Sequence, residues 1–135
     1  MNIVACYSSR TDYALLSPMI SGLEKCGAEI KKINIGPWFL EEDPFSFSVF
    51  LTRVMEKLAG EFAANRPNVV LLLGDRHETI GVALIASVFR IPVVHVRGDG
   101  KETGLVGPGM FECPEDKTSI EGMVQFALDN YMTAA

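Results

Sequence analysis

Disulfide-forming potential is almost missing from this chain. Cys6, Cys26 and Cys113 are odd in number and far apart, which excludes a full disulfide framework and lacks the paired spacing of a zinc site. No bound metal is expected. Cys6 lies in an apolar stretch and is most simply a small core residue. Positive charge is also scarce, with 12 Lys and Arg against 17 Asp and Glu and a net charge of −5. The basic residues are scattered and form no stripe, so a nucleic-acid partner is not expected. Every apolar run breaks at a charge or glycine well short of the roughly 18 residues that cross a bilayer. The opening "MNIVACYSSR" lacks the basic lead and apolar stretch of a signal peptide. The expectation is a soluble cytoplasmic protein with no membrane partner. No internal repeat, low-complexity tract or linker divides the chain.

What is present is a large apolar share, 48% of 135 residues, enough for the core of a single domain over residues 1–135. The order of elements is regular. "NIVACYS" (2–8) reads as a strand. "TDYALLSPMISGLEKCG" carries Leu16, Met19, Ile20 and Leu23 on one helical stripe and ends at Gly27, with Pro18 expected near the helix start because it cannot donate to an earlier turn. "EIKKINI" (29–35) alternates as a strand with one wet face, and "GPWFLEEDP" (36–44) is an aromatic, acidic loop. A second helix is expected from Ser46 to about Asn65, with Leu51, Val54, Met55, Leu58 and Phe62 on one face and Pro67 beyond its end.

"NVVLLLG" (68–74) is apolar throughout, as a strand covered on both faces must be. A helix from about Glu78 to Phe89 and a strand "IPVVHV" (91–96) follow. Next comes a long loop rich in glycine and charge, with room for one short extended piece. Thr118 and Glu121 then form a capping box ahead of Ile120, Met123, Val124, Ala127, Leu128 and Tyr131 at helical spacing. Strand–helix alternation of this kind predicts an α/β fold: a single three-layer open sheet, mostly parallel, Rossmann- or flavodoxin-like, with helices on both faces.

Ligands on such sheets bind beyond the carboxyl ends of the strands, near the switch in strand order. That rule selects "SSRTDY" (8–13), "GDRHET" (74–79) and "HVRGDGKETG" (95–104). Together they set Arg10, Asp12, Asp75, Arg76, His77, Glu78, His95, Arg97, Asp99 and Glu102 along one edge. Arginine grips phosphate with parallel hydrogen bonds, and a helix start adds backbone donors. Neighbouring or partly dried carboxylates can separate into acid and base. Plainer roles fit several of these residues. Asp12 and Glu78 can serve as helix caps, Asp75 and Arg76 as an ion pair in a turn, His95 as a satisfied half-buried strand residue, and Glu102 as a solvated loop charge. The glycine fingerprint of dinucleotide folds is absent, since "SSRTDY" stands in its place, and so is a Walker-type phosphate loop. No cofactor is expected.

Three segments resemble one family. "SSRTDYALLSP" is similar to the opening motif of the hydrolysing UDP-N-acetylglucosamine 2-epimerases. "RPNVVLLLGDRHET" resembles their "RPDLVLVLGDR-x-E" segment. "ALIASVFRIPVVHVRGDG" resembles the alanine-rich helix and "IPVAHIHGGE" strand that follow. The resemblance implies two Rossmann-like domains enclosing a nucleotide sugar in the full-length members, which are more than twice this length. It also implies that Arg10 lies by the diphosphate, and that Asp75 handles the sugar during anti elimination of UDP and re-addition at the neighbouring carbon. Asp12 and Glu78 fall on motif positions. Where the family has a catalytic glutamate, this chain has Gly100, with Asp99 and Glu102 nearby.

The expected function is therefore a minimal epimerase-like domain, isomerase in type, that binds or processes a nucleotide sugar of the UDP-N-acetylglucosamine class. Arg10, Asp12, Arg76 and Arg97 would bind substrate, and Asp75, Glu78, Asp99, Glu102 and His95 would be catalytic. A second subunit of a homo-oligomer could complete the pocket. Two alternatives stay open: a nucleoside or nucleotide N-glycosidase or deoxyribosyltransferase-like enzyme with Glu78 as nucleophile, and a nucleotide-binding or interaction protein without catalysis.

Overall fold

The structure is a computed structural model, and it describes residues 2–8, 10–36, 43–73, 77–96 and 110–112. The expected C-terminal helix with its Thr118–Glu121 capping box lies outside those residues. Within them the order is β1 (Asn2–Tyr7), α1 (Arg10–Lys25), β2 (Glu29–Asn34), α2 (Pro44–Ala64), β3 (Val69–Leu73), α3 (His77–Val88), β4 (Val93–Val96) and β5 (Met110–Glu112). The strands form one sheet in the order β2-β1-β3-β4-β5, and each adjacent pair is parallel.

Two apolar layers sandwich the sheet. On one face, Ile3, Ala5, Leu71, Leu73 and Val94 meet Leu16, Met19, Ile20 and Leu23 of α1. On the other, Val4, Cys6, Val70, Leu72 and Val93 meet Leu58 and Phe62 of α2 and Val82 and Ala86 of α3. Successive residues of β1 and β3 thus supply both layers, as a period of two requires. All five residues of β3 are buried, which is why its sequence is apolar without alternation.

Two expectations need correction. Pro18 stands inside α1 rather than near its start, since the helix begins at Arg10. A proline there removes the hydrogen bond to the Ala14 carbonyl and costs about 3 kcal/mol. Leu16, Met19, Ile20 and Leu23, all buried, offset it at about 1.5–3 kcal/mol each. The second correction concerns β2, which has no single wet face. Ile30 packs toward the α1 layer and Ile33 toward the α2 layer, while the lysines between them are exposed. As the outermost strand of the sheet, β2 is half wet on both sides.

The second helix starts earlier than its apolar stripe suggested. Asp43 is its N-cap, accepting hydrogen bonds from the Phe45 and Ser46 N–H groups at 3.1 and 3.3 Å. The Ser46 hydroxyl donates to the same carboxylate, and these bonds hold it below its ordinary pKa of 3.8. That contribution to stability is present above pH 3.8 and is lost as the pH falls through the depressed value. The end of α3 uses Arg90, at φ 57°, where glycine is the usual residue. The Arg66 guanidinium secures this turn by donating to the carbonyls of Phe89 and Arg90. No helix among the described residues is long and apolar enough to cross a membrane.

Candidate functional site

The strand order reverses direction between β1 and β3. From β1 the chain moves outward to β2, and from β3 it moves the other way to β4 and β5. At such a switch the loops leaving the two central strands diverge to opposite faces and open a crevice at the carboxyl edge. Here α1 leaves β1 on one face, and α3 leaves β3 on the other.

Four polar or charged side chains are buried among the described residues, namely Ser8, Glu78, Thr79 and His95. All four lie at this carboxyl edge. Ser8 follows the last residue of β1, Glu78 and Thr79 fall in the first turn of α3, and His95 is the penultimate residue of β4. None stands without a partner. Burying polar groups costs free energy unless they are satisfied, so their concentration at one edge is a local departure from an otherwise apolar interior.

Register fixes where His95 stands. Cys6 pairs with Leu72, Leu72 with His95, and His95 with Glu112, so the four make one transverse row. Cys6 and Leu72 belong to the α2–α3 layer, and His95 shares that face. It is the face on which α3 packs through Val82 and Ala86, and Glu78 in the first turn of that helix is only 2% exposed. His95 is fully buried rather than half-buried. Cys6, in the same row, is buried too, and burial pushes its thiol up to about 12. The row therefore changes from inert apolar groups to polar ones as it crosses from β3 to β4.

Of the substrate-binding candidates, Arg10 opens α1 and Asp12 lies in its first turn. Neither Asp12 nor Glu78 holds the N-cap position, because both fall inside their helices. As an acid in the first turn of α3, Glu78 interacts favourably with the helix dipole. Asp75, Arg76, Arg97, Asp99 and Glu102 lie outside the described residues. Ser8, Thr79 and Glu112 carry no individual signal in the sequence. Ser8 and Thr79 fall within "SSRTDY" and "GDRHET", but a hydroxyl gives no sign of burial until the sheet is assembled. Glu112 becomes a neighbour of His95 only through strand pairing. Among the described residues, no group of three or more His, Cys, Asp or Glu is placed to hold a metal ion.

A groove of about 320 Å³ opens elsewhere, at the amino ends of β1 and β2, between Asn2, Glu29, Asn65 and Pro67. The Lys31–Glu61 ion pair lines it and satisfies its own charges. It lies at the edge opposite the one where α/β sheets bind ligands, and it holds none of the candidate residues. Volume alone does not make it the site.

The profile of the family described as UDP-N-acetylglucosamine 2-epimerase matches residues 19–104. The chain belongs to that family. A stretch of 45 residues is 49% identical to the UDP-N,N'-diacetylbacillosamine 2-epimerase (hydrolyzing) of Legionella pneumophila, covering 33% of this chain and 12% of that enzyme. The fold is similar to the UDP-GlcNAc 2-epimerase of Neisseria meningitidis bound to UDP-GlcNAc, with a TM-score of 0.61 and 19% identity over 71% of this chain and 31% of the other. It is also similar to the UDP-GlcNAc 2-epimerase of Methanocaldococcus jannaschii in complex with UDP-GlcNAc and UDP. There the TM-score is 0.59 at 18% identity, over 98% of this chain and 43% of that one. This member of the epimerase family thus spans less than half the length of the relatives it matches, and the likeness corresponds to their N-terminal domain.

Proposed function

We propose that this epimerase-family chain binds a nucleotide sugar of the UDP-N-acetylglucosamine type at the carboxyl edge of its sheet. The diphosphate is held by Arg10 at the start of α1, with Arg76 and Arg97 beside it and Asp12 on the same rim. The sugar meets Asp75, Glu78 and His95. The observation that carries this reading is the burial of Ser8, Glu78, Thr79 and His95 together at the switch point of a family fold whose relatives are described with UDP-GlcNAc bound. In the catalytic form of the proposal, a carboxylate takes the proton from the carbon next to the anomeric centre as UDP departs. Asp99 or Glu102 acts where the family glutamate is replaced by Gly100. A second subunit of a homo-oligomer supplies the facing wall of the cleft.

Titration calorimetry with UDP and UDP-N-acetylglucosamine tests the binding. Arg10→Ala should weaken UDP by about 1–3 kcal/mol, the cost of a lost charged hydrogen bond. Equal affinity in the mutant would remove Arg10 from the site. Release of UDP from UDP-N-acetylglucosamine would establish turnover. Gly100 favours a second reading, binding without turnover, and tight binding with no UDP released would establish it. Free base released from a deoxynucleoside by the wild type and not by Glu78→Gln would instead support Glu78 as a glycosidase nucleophile.

A further inference from the structure

The exit of β2 and the junction of β1 with α1 touch through their backbones. The Ile35 N–H donates to the Tyr7 carbonyl at 2.8 Å, extending the parallel ladder by one residue beyond β2. The Gly36 N–H then donates to the Asn34 side-chain oxygen at 3.0 Å, which ties Gly36 to the end of its own strand. Gly36 is buried there. A Cβ at this position would lie 1.9 Å from the Ser8 carbonyl oxygen, 2.6 Å from its carbonyl carbon and 2.7 Å from its Cα.

These obstacles are main-chain atoms, so no rotamer change relieves them. Ser8 has no free space to retreat into, because it is fully buried. A single methyl group at residue 36 must therefore move one backbone segment by roughly 1 Å, in an interior packed too densely to absorb it locally. Arg10, where α1 begins, lies two residues from Ser8.

We propose that Gly36 is a positioning residue for the nucleotide-sugar site. Its missing side chain lets the end of β2 brace the β1–α1 junction from behind, which sets where Arg10 and the first N–H groups of α1 stand. This inference rests on the reading that phosphate is held at Arg10. A misplacement of about 1 Å suffices to spoil such a contact, because hydrogen bonds weaken steeply outside a narrow range of distance and angle.

The test compares UDP affinity by calorimetry with the thermal midpoint for the full chain and three variants. Gly36→Ala should lose at least tenfold in affinity. Asn34→Ala keeps the glycine but removes the acceptor that holds the Gly36 N–H, and should lose severalfold with a nearly unchanged midpoint. Gly27→Ala is the control for instability. Gly27 lies at the other end of α1 with φ +93°, and a Cβ there would meet nothing within 4 Å, so its replacement should lower the midpoint and leave affinity intact. Should Gly36→Ala fail to fold, Asn34→Ala decides the matter. Wild-type affinity in Asn34→Ala, or a loss in Gly36→Ala no larger than in Gly27→Ala, would overturn the inference while UDP binding by the wild type upheld the site. Absence of UDP binding by the wild type would overturn both.

Discussion

Cys6 and His95 occupy one row of the sheet, and their environments give them different prospects. The Cys6 thiol, pushed up to about 12 by burial, stays protonated and out of reach of reagents, whereas Cys26 is exposed. Brief treatment of the native protein with iodoacetamide near pH 8 should label Cys26 and spare Cys6, as peptide mass spectrometry would reveal. Labelling of both at similar rates would contradict the burial. The same shift bears on stability. Unfolding releases a thiol with an ordinary value of 9.0, so the contribution of Cys6 is full below pH 9.0 and declines as the pH rises toward 12. A core position for Cys6 was readable from the apolar run around it. The full burial of His95 was not, because the alternation of "VVHV" says which face a residue takes and not what covers it. The cover on that face comes from helices α2 and α3, which are distant in sequence.

At the level of elements, α1 offers a direct test of where a helix begins. Pro18→Ala restores a main-chain hydrogen bond to the Ala14 carbonyl if residues ahead of it are helical. Stability should then rise by about 1–3 kcal/mol, less the small loss from a freer unfolded chain. Urea denaturation would measure this, and no change would mean that the helix starts only at the proline, as local rules predict. Those rules read α1 less well than β3 for a physical reason. The burial of Leu16, Met19, Ile20 and Leu23 is a tertiary gain that outweighs a local penalty. The start of α2 was readable in principle, since Asp43 precedes Pro44 as a cap precedes a first-turn proline. The apolar stripe drew attention to Ser46 instead. The approach of Gly36 to Ser8 had no local signal, because it depends on which strand lies beside which.

Over the whole molecule, a parallel sheet layered by helices was the deepest inference available from sequence, and it followed from alternation and crossover handedness alone. What alternation could not disclose is the outer surface. Helix α3 is apolar on nearly every side. Ile80, Leu84 and Val88 are exposed at every fourth position, with Leu84 52% accessible. Leu84→Lys should change stability by no more than about 0.5 kcal/mol, since little burial is lost there. It should also raise the concentration at which the protein stays monodisperse in light scattering. A loss of several kcal/mol would show that the side chain is covered.

The placement of β2 at the sheet margin has a further consequence for how copies of this chain meet. Among the described residues no strand pairs with the outer side of β2, and the main-chain groups that alternate residues of Glu29–Asn34 turn to that side are the usual template for runaway strand addition. In antiparallel self-pairing centred on Lys31 or on Lys32, a lysine must face its own copy, and such like-charge opposition is unfavourable. The Lys32 ammonium thus guards against fibril growth at no expense to the interior, while Lys31 is already tied to Glu61; neutralising Lys32 would lower that guard.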